Sequence, residues 1–429
     1  MDMSSEALPL ESLCSLVVDC PHSTPTWTKS GHIVLRNQNI RNGRLDLSAP
    51  SFTDAEHFAQ RNRRATPTSG DIVITREAPM GEVCMIPEGL ECCLGQRQVL
   101  LRPDPRLVNP KFLLFALQSP EVQRQIGWNE GTGSTVSNLR IPILKSLKIP
   151  TPERPLQDAA AATLGVIDDR IDNLRQTNAT LEAIAQTLFK SWFVDFDPVR
   201  AKAEGREPEG MDAATAALLP SEFVASELGL IPKSWTVGSI YDVADVRYGA
   251  PFKSALFNAD RVGRPLVRIR DLRNEEPGVW TPEEHPKGYL IQPGDVIVGM
   301  DGEFRAYLWG GDEAWLNQRV CAFHPREPHG SVFVRNVISP LLARVESTVT
   351  ATTVIHLGKK HIDEFRVLVP PPEIARIFCV MAQPLYERVV IAKQQARTLA
   401  NLRDTLLPRL VSDKFRLPDA EREIEAAVA

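Results

Sequence analysis

The strongest constraint on how this chain folds is that it repeats itself. SGDIVITREA from Ser69 is echoed by PGDVIVGMDG from Pro293, setting Gly70-Asp71 against Gly294-Asp295 at an offset of 224. LGQRQVLLRP and LNQRVCAFHP set Gln96-Arg97 against Gln318-Arg319 at 222. Thr135 meets Thr353 at 218, KIPTPE meets VLVPPPE at 220, and LEAIAQTLFKSW meets LANLRDTLLPRL with Leu181 against Leu399 at 218. Landmarks that keep their order at nearly constant offset indicate a duplicated and diverged unit. A chain of 429 residues is also too long for one ordinary core.

Each unit reads the same way. Short apolar runs (HIVLR, GDIVIT, RQVLLR; then PLVRIR, GDVIVG, RVCAFH) separated by Gly, Pro and Asn predict a strand-rich part. A border follows at Pro150, Pro152 and Pro155 in the first unit and at Pro370, Pro371 and Pro372 in the second. A long helix comes next. Its apolar positions step by three and four: Leu164, Ile167, Ile171, Leu174, Asn178, Leu181, Ala185, Leu188 and Trp192, then Val389, Ala392, Ala396, Leu399, Arg403, Leu406 and Leu410. That spacing predicts coiled-coil seams in which Asn178 and Arg403 are polar interruptions of the kind that fix register. Packing of each helix on its own domain is the alternative. Between the units, Asp195 to Trp235 is rich in Pro, Gly and charge and reads as a linker or an extended wrapping segment.

Composition narrows the function classes. The net charge is −5, but it is unevenly spread: Pro21 to Pro150 holds 16 Lys+Arg against 11 Asp+Glu, and Thr151 to Ile240 holds 8 against 14. The first strand-rich part is therefore basic, which permits nucleic-acid binding without requiring it. Seven cysteines at irregular spacing, with no C-x-x-C pair, argue for buried thiols and against a disulfide framework or zinc site. No run of 18 apolar residues is present, and the N-terminal MDMSSEALPLESL lacks a signal pattern, so a cytoplasmic protein is expected.

Catalytic motifs are not found. There is no G-x-x-x-x-G-K-[ST] loop, and Gly131 and Gly133 lack the third glycine of a dinucleotide fingerprint. Asn109-Pro110 only superficially resembles a methyltransferase Asn-Pro-Pro-aromatic motif and reads better as the start of an amphipathic helix, Lys111 to Gln125. Asp71 and Glu77 lack the clustered partners of a nuclease, and Glu77 reads as a surface or hydrogen-bonding residue.

The run LFKSWFVDFDPVRAKAEGREPEGMD, followed by SELGLIPKSW, resembles the central conserved region of type I restriction-modification specificity subunits. DCPHSTPTW (Asp19 to Trp27) and YGAPFKSALFN (Tyr248 to Asn258) resemble the openings of target recognition domains in that family. The I-P-x-x-W lead-in at Ile231 to Trp235 has no counterpart before the first domain. The resemblance implies an α+β fold: two pseudo-repeated mixed α/β target recognition domains separated by two long antiparallel coiled-coil helices. The implied boundaries are 1–155 and 236–371 for the recognition domains, 156–195 and 372–412 for the spacer helices, 196–235 for a central linker and 413–429 for a C-terminal tail. It also implies a non-catalytic reader of a bipartite, asymmetric duplex DNA site in a system of defence against foreign DNA. Its partners would be two modification subunits that methylate adenine with S-adenosylmethionine, and restriction subunits that cut with ATP and Mg; the chain itself would bind no cofactor and no metal. Half-sites on one face of B-DNA lie about 34 Å apart per turn, which a rigid helix pair would measure. A protein-interaction scaffold with partner-docking helices and no sequence readout is the competing expectation.

Direct readout needs Arg, Lys, Asn or Gln at groove edges, and phosphate contacts add Ser, Thr and backbone amides. Positions repeated in both units are the better candidates. They are Gln96, Arg97, Gln318 and Arg319, for which a structural hydrogen-bonding role is equally open, and the Gly-Thr-rich loop with Thr132, Ser134, Thr135, Asn138 and Arg140, matched by Thr353, His356, Lys359 and Lys360. Arg36 and Arg41, with Arg268, Arg270 and Arg273, mark another repeated strand end. Arg61, Arg63 and Arg64 read as a phosphate patch or a solvated face. Trp192, Phe193 and Phe196 are candidate anchors for partner docking, or a closure for the helix end.

Overall fold

The computed structural model describes residues 7–128, 138–347 and 356–412. Its chain divides into two units, Met1–Ile171 with Thr398–Ala429, and Asp172–Arg397.

In the first unit the elements run β1 (Ala7–Pro9), β2 (Cys14–Asp19), β3 (His32–Leu35), β4 (Ile40–Arg41), β5 (Arg44–Leu45), β6 (Ser51–Thr53), α1 (Ala55–Arg61), β7 (Ile72–Thr75), β8 (Val83–Met85), β9 (Cys92–Leu94) and β10 (Gln98–Pro103). Helices α2 (Pro110–Gln118), α3 (Pro120–Gly127) and α4 (Ile141–Ser146), strand β11 (Lys148–Pro150) and the start of α5 (Arg154–Phe193) follow. The second unit continues from α5 through α6 (Asp197–Ala203), α7 (Ala213–Leu218), β12 (Phe223–Ser226), β13 (Gly229–Pro232), β14 (Thr236–Ser239), β15 (Ala244–Tyr248), β16 (Arg264–Val267) and β17 (Trp280–Thr281). It ends with β18 (Leu290–Ile291), β19 (Val296–Gly299), β20 (Ala306–Leu308), β21 (Ala314–Leu316), β22 (Val320–Pro325), α8 (Ser331–Ser347), α9 (Lys359–Asp363), β23 (Arg366–Val369) and the first part of α10 (Pro372–Val411).

The repeat in the sequence is a repeat in topology. The sheet ordered β2-β10-β7-β8 has its counterpart in β15-β22-β19-β20. The parallel pair β3 and β9 is matched by β16 and β21, and the antiparallel pair β1 and β11 by β14 and β23. The central strands β7 and β19 are buried at every position, which is why IVIT and VIVG are continuous apolar runs rather than alternating ones. The repeated Gly-Asp dipeptide is a turn device. Gly70 (φ 84°) and Gly294 (φ 96°) take the left-handed conformation open to glycine, and the following aspartate accepts the amide N–H three residues back. Those bonds are Thr68 N to Asp71 Oδ2 at 2.9 Å and Gln292 N to Asp295 Oδ2 at 2.8 Å.

The two long helices are each 40 residues. Most of their seam positions are buried: Leu164, Ile167, Ile171, Leu399, Leu406 and Leu410 in the first unit; Leu174, Ala185, Trp192, Val389 and Ala392 in the second, where Leu181, Leu188 and Ala396 are half-buried. Within the second unit the helices run antiparallel. Trp192 and Phe193 meet Phe378, while Glu182, a little under three turns earlier on α5, shares Arg335 with Tyr386, just over two turns later on α10. Arg403 sits in the seam within the first unit and pairs with Asp168 of α5 at 2.9 Å.

Two expectations are corrected, and one helix is new. The single helix from Lys111 to Gln125 is two, because Ser119 takes an extended conformation (ψ 145°) as C-cap of α2 and N-cap of α3, and Pro120 supplies the first position of the next helix. The segment 196–235 is not a bare linker: α6, α7 and the β12–β13 hairpin fold there, with Val199, Leu219 and Trp235 in the second unit's core. Helix α8, amphipathic and broken by no gap despite Pro340, was not anticipated. The thiols behave as expected: Cys20, Cys84, Cys92, Cys93 and Cys321 are buried, Cys14 and Cys379 partly so.

Candidate nucleic-acid interface

The same three-stranded junction is built in each unit. In the first, Arg76 N donates to Arg97 O (2.8 Å) and Leu139 N donates to Arg76 O (2.9 Å). In the second, Met300 N donates to Arg319 O (2.9 Å) and Leu357 N to Met300 O (2.7 Å). These backbone ladders bring together the residue after each central strand, the repeated Gln-Arg turn, and the segment entering α4 or α9.

Each junction carries a polar cluster from repeat-equivalent positions. In the first, Arg97 Nε lies 3.0 Å from Glu77 Oε2, and Asn138 Nδ2 donates to Glu77 Oε1 at 2.5 Å. Arg76 steadies the cluster from below: its Nη2 donates to Asn138 Oδ1 (3.2 Å), its Nε to Leu139 O, and its Nη1 to the Asp19 carboxylate. In the second, Arg319 Nη1 lies 3.6 Å from Asp301 Oδ1, and His356 Nδ1 lies 2.8 Å from the same oxygen. The carboxylates are sheltered, at 18% and 28% side-chain exposure, and the arginines stand out at 55% and 54%. A sheltered acid under an exposed guanidinium aims the cation outward.

The first junction opens on a concavity of ≈ 350 Å³ lined by Trp27, Arg36, Asn37, Gln38, Gln96 and Arg97, among others. The Arg36 guanidinium stacks 5.1 Å from the centre of the Trp27 ring, and Gln96 Nε2 donates to His22 O at 2.6 Å. Gln96 is thus engaged with the loop leading to Trp27, whereas Gln318 is exposed. Gly95 is held at this wall by a bond from its N to Leu35 O (2.8 Å), and a Cβ there would lie 2.4 Å from that carbonyl.

The other predicted residues fall into distinct places. Arg140 is exposed at the cap of α4, and Lys359 and Lys360 open α9. Lys359 reaches Asp363 at 2.8 Å, which pushes its pKa up, and lies 5.8 Å from the Tyr241 ring centre. Arg41 is exposed in the β4–β5 hairpin and is not among the residues lining the concavity. Arg268 is tied to Asp271 at 3.0 Å, Arg270 is exposed, and Arg273 lines a second concavity with Arg305 and Arg335. Thr132, Ser134, Thr135 and Thr353 lie outside the described residues.

Two expectations change on burial. Arg61 is 6% exposed and is not part of a surface patch. It donates to the carbonyl oxygens of Leu94, Ser23, Pro21 and Gly95 at 2.7–3.2 Å, so it pins the wall beneath Gln96 and Arg97. Trp192, Phe193 and Phe196 are 6–8% exposed and pack with Phe378, Phe333, Trp235 and Phe223. They close the helix end against the second unit and do not form an exposed anchor. Glu77 and Asp301 were not singled out as site residues. The offset of 224 that aligns the Gly-Asp turns also aligns these two acids.

Among the described residues no group of His, Cys, Asp or Glu is placed to hold a metal ion, and no helix is long and apolar enough to cross a membrane.

The profile of the type I restriction modification DNA specificity domain matches residues 27–183 and again 232–395. The chain belongs to the type I restriction-modification specificity-subunit family. The two matches coincide with the two halves of the repeat. The type I restriction enzyme MjaIX specificity subunit of Methanocaldococcus jannaschii is 28% identical over 82% of this chain and 78% of its own length. The HindI specificity subunit of Haemophilus influenzae is 24% identical over 81% and 86%. In fold, the chain is similar to the S subunit of a type I restriction-modification system from M. genitalium, with a TM-score of 0.54 at 18% identity over 96% of this chain and 97% of that one. The specificity subunit of this family is a DNA-binding component.

Proposed function

We propose that this chain is the non-catalytic, sequence-reading subunit of a type I restriction-modification complex, and that it reads a bipartite, asymmetric duplex target with one half-sequence per unit. The observation that carries this is the repeated junction with diverged side chains: Glu77, Arg97 and Asn138 in one unit, Asp301, Arg319 and His356 in the other. Equivalent frames with different polar groups are what two different half-sequences require. Adenine methylation would fall to modification subunits carrying S-adenosylmethionine, and cleavage to restriction subunits using ATP and Mg. Exposed apolar side chains on the long helices, including Val166, Ile184, Val380 and Ile391, supply surface for such partners in place of the buried Trp192 cluster.

The test is duplex binding by the purified chain alone and with its modification subunit, across a salt series. Specific binding that falls steeply with salt is expected. Methyl transfer or strand cleavage by the purified chain alone would overturn the assignment.

A further inference from the structure

The two acid–arginine pairs have a composition that phosphate binding does not explain. A backbone phosphate brought to Arg97 would also meet the Glu77 carboxylate 3.0 Å from the guanidinium, and one brought to Arg319 would meet Asp301 at 3.6 Å. Like-charge approach of that kind opposes phosphate contact. The pair is instead a matched donor and acceptor. In the major groove a G·C pair shows two acceptors, guanine N7 and O6, beside one donor, cytosine N4–H₂. Arginine donates to the first two, and an aspartate or glutamate accepts from the third. Each Glu77 oxygen is engaged by one donor and keeps a second lone-pair direction for the base, whereas Arg319 and His356 share Asp301 Oδ1 and leave its Oδ2 to accept from the base.

We propose that Glu77–Arg97 and Asp301–Arg319 are base-reading pairs, each matched to the major-groove edge of one G·C pair, at equivalent places in the two half-sequences. This rests on the DNA-reading assignment above. Asn138 and His356 hold the acids from the side, at 2.5 Å and 2.8 Å. Because one partner is an amide and the other an imidazole, the two halves present different neighbours to the next base. Arg97 adopts φ 65°, an uncommon conformation for a residue with a side chain, and Arg76 and Asp19 brace the cluster behind it. That bracing favours a group that must present its donors in one orientation.

The experiment selects bound sequences from a randomised duplex library, using the full chain with its modification subunit, for the native protein and for Arg97→Ala, Arg97→Gln and Arg319→Ala. In the native protein each half-sequence should contain a G·C position read by these pairs. Arg97→Ala should reduce discrimination at one G·C position of one half by about tenfold to a hundredfold and leave the other half unchanged. Arg319→Ala should do the same in the opposite half. Arg97→Gln should shift that position toward adenine, since glutamine pairs with its N6 and N7. Retention of the full motif by both alanine variants would overturn the proposal. So would uniform weakening on all sequences with the salt slope lowered by about one, the signature of a phosphate contact. Absence of any motif in the native protein would instead defeat the DNA-reading assignment itself.

Discussion

At the residue scale, Arg61 shows how a functional surface depends on a buried charge. Its guanidinium has no carboxylate at hand among the described residues, only four carbonyls, and burial pulls its pKa below the ordinary value. The second unit builds the same wall without it: Leu316 O, equivalent to Leu94 O, accepts from the backbone N of Ala250 at 3.0 Å. Arg61→Met should therefore destabilise only the first unit, by about 2–4 kcal/mol, because several buried carbonyls lose their donors. Thermal unfolding followed by domain-resolved hydrogen exchange would show this, and an unshifted first unit would refute the role. Arg61→Lys should not restore stability, since an ammonium cannot reproduce the fork. His329 should give the second unit a pH dependence. It is 8% exposed, with its ring 4.7 Å from Phe333, and burial lowers its pKa from the ordinary 6.5. The neutral form is favoured in the folded state, so its contribution is complete above about pH 6.5 and is lost as pH falls through the depressed folded value. A melting series from pH 8 to pH 5 should show the second unit weakening on the acid side, and His329→Gln should flatten that slope. Arg61 was misplaced from sequence because a buried guanidinium bound to carbonyls leaves no spacing pattern; RNRR looks the same whether it is solvated or enclosed. Asn138 and His356 were legible only because the repeat aligned them.

At the element scale, the strands and the two long helices were legible because their periodicities report burial directly. The seam residues from Leu164 to Leu410 are largely enclosed, and the polar interruption at Arg403 has a partner. Asp168 receives both Arg403 at 2.9 Å and Arg44 from β5 at 3.1 Å, so one carboxylate ties helix α10 and a hairpin to α5. Burial opposes the Arg403 charge, yet the neighbouring Asp168 and Asp404 outweigh it and hold its pKa above the ordinary value. Arg403→Ala should cost the first unit about 1–3 kcal/mol, less than a buried pair with no second partner, because Asp168 keeps Arg44. Denaturant unfolding of the variant checks this; a change below about 0.5 kcal/mol, the ordinary range for surface sites, would mean the pair is solvent-screened. The elements that sequence reading missed carried their signals in other terms. Pro120 after Ser119 marks a helix restart, and Asp197-Pro198 opens α6 with proline in its first turn. The charge and proline content of 196–235 outweighed those local cues, although Val199, Leu219 and Trp235 were there to be buried.

At the scale of the whole molecule, the duplicated unit accounts for what the chain contains and how it is arranged. Equivalent strands recur in equivalent sheets, and the side chains at the two junctions have diverged while their backbone ladders have not. A frame kept constant under changing polar groups suits a protein whose two halves read different sequences. The most direct measurement is selection of bound duplexes from a random library by the full chain with its modification subunit. Two short, dissimilar half-sequences at a fixed separation are predicted, with each half degraded independently by Arg97→Ala or Arg319→Ala. A flat library, or a single uninterrupted site, with partner association intact would contradict the account.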